Sequence, residues 1–155
     1  MITAIDTNIL LDILIQDENF YLRSRKFIDE YNTKGQLIIC EVVYSELASQ
    51  FPSQAELKDF LSDTGIKLII SNENSLSLAG ERWKVYAKNR ESKIQCTVCG
   101  KKMSIICSEC KNTISFRQHI ISDFIIGAHA LIYADLILSR DRGYYKTYFQ
   151  DLFIV

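Results

Sequence analysis

Ile2-Thr3-Ala4-Ile5-Asp6 is an apolar, β-branched run of strand length that stops at an acid. Such a run reads as a buried strand, and others follow the same plan. Gln36 to Cys40, Lys67 to Ser71 and Asp135 to Ser139 are each apolar along most of their length, and Leu152 to Val155 offers a fifth strand. Helical stretches lie between them. Asn8 to Leu14 is apolar and helix-compatible, while Asp17 to Tyr31 carries Phe20, Leu22, Phe27, Ile28 and Tyr31 at helical spacing. A helix begins near Val42 and Pro52 breaks it. Ser53-Gln54-Ala55-Glu56 then has the form of a capping box, and Gly65 closes the helix it starts. Further helices are predicted from about Glu73 to Arg90 and from His119 to about Tyr133. Near-continuously apolar strands alternating with helices predict a parallel sheet covered on both faces, a three-layer α/β/α fold. Residues 1–155 read as one such domain with a small cysteine-bearing insertion at about 94–114.

The 155 residues suffice for a full core, since a chain of this size buries roughly 68–70% of the surface it exposes when unfolded. A composition of 48% apolar and 24% charged residues excludes disorder, and one proline with six glycines excludes collagen-like or linker-dominated chains. No apolar run reaches the roughly 18 residues of a membrane helix, and no basic segment of a secretory signal precedes the first apolar stretch. A reducing cytoplasm is the expected compartment. The net charge of −1 conceals an asymmetry: Arg82 to His119 holds nine Lys and Arg against two acids, so it carries +7 and the remainder −8. Two readings of that segment stay open: a solvated helix face with a lysine-rich loop, or an anion-attracting arm beside an acidic site.

Ligands of open parallel sheets bind beyond the carboxyl ends of the strands. Asp6 follows the first strand, Glu46 lies on the helix after the second, and Asp141 follows the strand that begins at Asp135. Asp123 lies on the helix leading into that strand. Each has a plainer reading. Asp6 or Thr7 could cap the next helix, Glu46 could face solvent, and Asp141 could be a turn residue. Asp123 fits such a reading poorly, because Ile120, Ile121, Phe124, Ile125 and Ile126 surround it and an unpaired buried acid is penalised. Gathered together, four carboxylates would raise one another's pKa unless a hard cation such as Mg²⁺ or Mn²⁺ sat among them. Asp135 and Glu41 lie nearby and are set aside: Asp135 as the start of a strand, Glu41 as facing solvent.

With these pieces in order, the chain resembles a PIN-domain ribonuclease, the fold of many toxin–antitoxin toxins, from Asp6 to about Phe149 outside the insertion. Asp6-Thr7-Asn8 resembles the family's opening acid motif, and Glu46 in Cys40-Glu41-Val42-Val43-Tyr44-Ser45-Glu46-Leu47 its second acid. Asp123 ahead of Ile126-Gly127-Ala128-His129-Ala130 matches the third, and Ser139-Arg140-Asp141 the closing threonine-x-acid motif. The resemblance implies Mg²⁺ or Mn²⁺ on Asp6, Glu46, Asp123 and Asp141, with Asn8 and Ser139 orienting water or substrate. It also implies hydrolysis of single-stranded or loop RNA, an antitoxin partner and a homodimer. Other readings are a non-catalytic RNA- or protein-binding module, a ribosomal RNA-processing nuclease, or a DNA nuclease of the flap-cleaving type. The presence of all four acids counts against the module, and the short chain against the flap nuclease.

Cys96-Thr97-Val98-Cys99 and Cys107-Ser108-Glu109-Cys110 form two C-x2-C pairs seven residues apart. Each pair can chelate one tetrahedral ion, and four thiolates close the coordination sphere of a structural Zn²⁺, leaving no position for chemistry. Cys40 reads as a small buried hydrophobe, and His119 and His129 as core or surface residues. Lys101 and Lys102, between the chelating pairs, are the expected RNA contacts.

Overall fold

A computed structural model of the chain describes residues 1–89, 93–95, 102–114 and 120–155. Its elements run β1 (Ile2–Ile5), α1 (Thr7–Leu14), α2 (Tyr21–Lys34), β2 (Gln36–Ile39), α3 (Glu41–Ala48), α4 (Gln54–Thr64), β3 (Ile66–Leu68) and α5 (Glu73–Asn89). Then come β4 (Ile94–Gln95), β5 (Lys102–Met103), β6 (Ile105–Ile106), β7 (Thr113–Ile114), α6 (Ile121–Tyr133), β8 (Leu136–Leu138) and α7 (Arg142–Tyr148). Among the described residues the main sheet has four parallel strands in the order β3-β2-β1-β8. Helices flank it, as the alternating pattern predicts. Ile5, Leu37, Ile39, Ile137 and Leu138 are sealed in the core, each contributing roughly 1.5–3 kcal/mol of transfer free energy.

The central strand β1 decides where the site forms. Its last rung pairs Ile5 with Leu138, and the Asp6 N–H donates to the Leu138 carbonyl at 3.0 Å. Asp6 and Ser139 therefore leave the sheet side by side. At the other end, the Ile2 N–H donates to Asp135 Oδ2 at 2.7 Å and the Asp135 N–H to the Ile2 carbonyl at 2.8 Å. Asp135 thus pins the start of both strands, far from the acids.

Several boundaries differ from the sequence expectation. The third strand covers Ile66–Leu68 rather than Lys67 to Ser71 and is an exposed edge, with only Ile66 buried. The second helix starts at Tyr21 rather than Asp17, whose carboxylate instead accepts from the N–H groups of Asn19 and Phe20 in a turn. The expected fifth strand is a parallel bridge of Ile154 to Ile137, held by the N–H groups of Ile137, Ser139 and Val155. Glu41 does not face solvent. Its carboxylate accepts from the backbone N–H and hydroxyl of Ser71, both at 3.0 Å, and ties α3 to the chain after β3. Ser53 caps α4 as predicted, accepting from the Glu56 N–H at 3.3 Å, and Gly65 ends that helix in the left-handed conformation at φ +69°.

Within the insertion, β4 pairs with β5 and β6 with β7, both antiparallel. Cys96, Cys99 and Lys101 lie outside the described residues, as does His119. Cys107 and Cys110 stand in the turn between β6 and β7 as free thiols. Among the described residues no helix is long and apolar enough to cross a membrane.

Candidate active site

Asp6 stands at the N-cap position of α1 yet makes no side-chain cap there. Its carboxylate turns instead toward the neighbouring strand end. Oδ2 accepts from Ser139 Oγ at 2.6 Å and from Asn8 Nδ2 at 2.7 Å. Asn8 Nδ2 also lies 3.3 Å from Ser139 Oγ, while Asn8 Oδ1 accepts from the Arg140 N–H at 3.2 Å. Ser139 Oγ in turn accepts from the Asp141 N–H at 3.0 Å. The two residues expected to orient water or substrate thus hold the first acid and the closing loop together.

The other acids arrive on three separate elements. Glu46, on α3, accepts a hydrogen bond from the Thr7 hydroxyl. Asp123 lies in the first turn of α6, and its Oδ2 accepts from the Ile120 N–H at 3.0 Å. Asp141 caps α7, with Oδ1 accepting from the Tyr144 N–H at 3.1 Å. The plainer reading of Asp141 as a turn residue gives way to a helix cap made by one of its oxygens. All four acids line one cleft of about 270 Å³, with Thr7, Asn8, Leu11, Arg140, Tyr144 and Tyr145 completing its wall.

Burial dominates the electrostatics. It raises the pKa of Asp6 from 3.8 to about 6, against the opposing hydrogen bonds from Ser139, the Thr7 backbone and the Tyr145 hydroxyl, and Asp123 adds repulsion. Burial also pushes the Tyr145 and Tyr144 hydroxyls well above their ordinary value, helped by the nearby acids, so both remain protonated. An oxygen-only donor set suits a hard cation, and Asp6, ionising reluctantly, is a group whose charge a cation would restore. Among the described residues no three His, Cys, Asp or Glu side chains are already gathered tightly enough to hold an ion. Glu46, Asp123 and Asp141 each turn one carboxylate oxygen toward a donor of their own.

Sequence reasoning missed three parts of this neighbourhood. Tyr144 and Tyr145 wall the cleft. Arg140 reaches back to Asp12, whose carboxylate is buried, with Nη2 at 3.2 Å from Oδ1. Ser24 Oγ donates to the other oxygen of Asp12 at 2.6 Å. A signal for Asp12 was present: it is the one charged residue in the apolar run Ile9 to Leu14, the very pattern that singled out Asp123. His129 is buried with Nε2 2.8 Å from the Ile69 carbonyl, a core role as expected. Cys40 is buried too, and burial raises its thiol to about 11.

Comparison with curated proteins gives no match. Among solved structures, the chain is similar to VapBC-1 from nontypeable Haemophilus influenzae, with TM-score 0.64 and 17% identity over 100% of this chain and 97% of that one. It is also similar to VapBC2 from Rickettsia felis, solved bound to a DNA fragment from its promoter, with TM-score 0.58 and 16% identity over 100% and 98% of the two chains. At such identity these structures speak for the fold. The family model described as PIN domain matches residues 3–150, a span that holds β8, all of β1 but Ile2, and all four acids. The chain belongs to the PIN-domain family.

Proposed function

We propose that this chain is a metal-dependent endoribonuclease, the toxin of a toxin–antitoxin pair, acting at the acidic cleft. The observation that carries this reading is the meeting of Asp6, Glu46, Asp123 and Asp141, from four separate elements, in one cleft at the carboxyl ends of β1 and β8. PIN domains are generally nucleases, and the structural likeness to VapBC assemblies favours an antitoxin partner. A homodimer is part of the same proposal.

Asp6, Glu46, Asp123 and Asp141 would hold Mg²⁺ or Mn²⁺. Such an ion, when bound, lowers the pKa of water and offsets charge on phosphate oxygens. The chain's own contribution is placement. Ser139 and Asn8 fix the Asp6 carboxylate by hydrogen bonds at 2.6 and 2.7 Å, which aims its remaining lone pairs. Leu11 and the protonated Tyr144 and Tyr145 form the less polar side of the cleft.

The zinc part of the proposal assigns one Zn²⁺ to Cys96, Cys99, Cys107 and Cys110. The turn that carries the second pair supports it. The N–H groups of Cys110 and Glu109 hydrogen-bond the Cys107 sulfur and lower its pKa, an arrangement that favours thiolate. Lys111 at φ +59° and the Cys107 N–H to Asn112 carbonyl bond at 2.9 Å close the turn. Lys101 and Lys102 are proposed as RNA contacts of this arm.

The test is cleavage of single-stranded RNA with Mg²⁺ or Mn²⁺. The wild-type chain should cleave, and Asp6→Asn and Asp141→Asn should each lose at least a hundredfold in rate while keeping the fold. Full activity in both variants would overturn the site assignment.

A further inference from the structure

A second cleft, of about 380 Å³, adjoins the acidic one and has the opposite character. Arg23, Arg140 and Arg142 line it together with Ser24, Ser139, Ile9, Phe20 and Phe27, and no carboxylate is among its lining residues. Arg140 lines both clefts and so forms the wall between them.

Two of the three guanidinium groups, those of Arg140 and Arg23, are held in place. Arg140 is clamped twice, by Asp12 at 3.2 Å and over the Phe20 ring with its Cζ 4.3 Å from the centroid. Arg23 lies over the Phe27 ring at 5.3 Å. A cation over an aromatic face is attracted by the ring's negative face, which favours one rotamer. Asp12 neutralises Arg140. Arg23 and Arg142 have no carboxylate partner among the described residues, so the cleft keeps an excess of positive charge. Guanidinium forks match phosphate oxygens bidentately. The ring faces toward Arg23 and Arg140 are covered by cations, so the pocket is shaped for a phosphate rather than for a stacked base.

We infer that this cleft is a phosphate subsite that grips the single-stranded RNA backbone next to the bond placed at the acids, with Arg23 and Arg142 as its contacts. The inference rests on the ribonuclease reading for its substrate class. Arg140 is a positioning residue within it, holding apart the anion-binding cleft and the acid cleft. Because the contacts go to phosphate, the subsite should add affinity with little base preference. It lies on α2 and at the start of α7, and is therefore separate from the lysines of the insertion.

The experiment measures binding of a fluorescein-labelled single-stranded RNA by anisotropy, without added Mg²⁺ or Mn²⁺, across a range of monovalent salt. It compares the wild-type chain with R23A/R142A and with R23K/R142K, each checked for an unchanged melting temperature. Loss of two phosphate contacts should shrink the log–log salt slope by about 1.4 and weaken binding roughly 25-fold at 0.1 M salt, at 0.7 per single-strand contact. R23K/R142K, which keeps the charge, should retain most of the slope. In Mn²⁺-dependent cleavage the double alanine variant should raise KM with kcat nearly unchanged. Unaltered affinity and slope in R23A/R142A would overturn the subsite, as would a wild-type chain that binds no RNA; a protein partner in the cleft would give the first of these results. A chain that binds RNA through these arginines but never cleaves it would sink the nuclease reading and leave the subsite standing.

Discussion

Asp6 shows most plainly what the site costs the fold. A carboxyl whose pKa rises from 3.8 to about 6 on folding loses stability as pH climbs through that window, at about 1.4 kcal/mol per unit. The contribution is fully present below the unfolded value and gone above the folded one. Ionised Asp6 therefore costs about 3 kcal/mol at neutral pH. Asp6→Asn removes the charge yet keeps an oxygen to accept from Ser139 and Asn8. Without divalent metal, its melting temperature should exceed the wild-type value by several degrees at pH 8 and match it near pH 4. Adding Mn²⁺ should then stabilise only the wild-type chain. Thermal scans at the two pH values check both statements, and equal melting temperatures at pH 8 would show that Asp6 ionises without strain.

At the scale of elements, α6 must come close to Phe149 to bring Asp123 to the cleft. A methyl group at Gly127 would sit 2.5–2.8 Å from three ring carbons of Phe149. Phe149 cannot yield easily, because it is fully buried and shares ring contacts with Phe124, Tyr144 and Tyr145. Alanine gains about 1 kcal/mol over glycine inside a helix, but overpacking typically costs about 1–3 kcal/mol. With three close contacts the clash should win, and Gly127→Ala should lower unfolding free energy in urea by about 1–2 kcal/mol. A more stable variant would show that the ring moves aside.

Elements also explain which parts of the structure were legible in the sequence. Strands sealed on both faces announce themselves, and Asp123 stood out because its neighbours are apolar. Pairings across distance do not announce themselves. Glu41 was read as solvated because Ser71, its partner, lies 30 residues on. Arg140 was passed over between two motif residues because its meaning depends on Asp12, at the other end of the chain. Tyr144 and Tyr145 look like ordinary core aromatics until α7 turns them toward the acids.

For the whole molecule, charge is divided between regions of different construction. The acids gather beyond the carboxyl ends of β1 and β8, whereas the +7 segment from Arg82 to His119 includes the short ladders of the insertion. Ile105, Ile106 and Ile114 there are all at least 40% exposed, so the described part of the insertion has little core of its own. Metal ligation would supply what burial does not, with apparent binding free energies of about 10–16 kcal/mol in comparable zinc peptides. Purified chain prepared without chelator should contain about one zinc, and Cys107→Ser with Cys110→Ser should lose it while the main sheet still melts cooperatively. Elemental analysis showing no zinc in the wild-type chain would remove this account of the insertion.

The pairing of β1 with β8 has a consequence in time. Asp6 is made early, but the hydroxyl that holds its carboxylate belongs to Ser139, 133 residues later. At roughly 5–20 residues per second of synthesis, the interval is about seven to twenty-seven seconds. During it β1 can pair with β2 alone, and the future cleft lacks first Asp123 and then Asp141. If the chain cuts RNA as proposed, it is a hazard to the ribosome that makes it, which is itself built of RNA. The first acid follows the central strand and the last lies beyond the strand that joins it latest, so on the ribonuclease reading the site stays incomplete until residue 141 has been made.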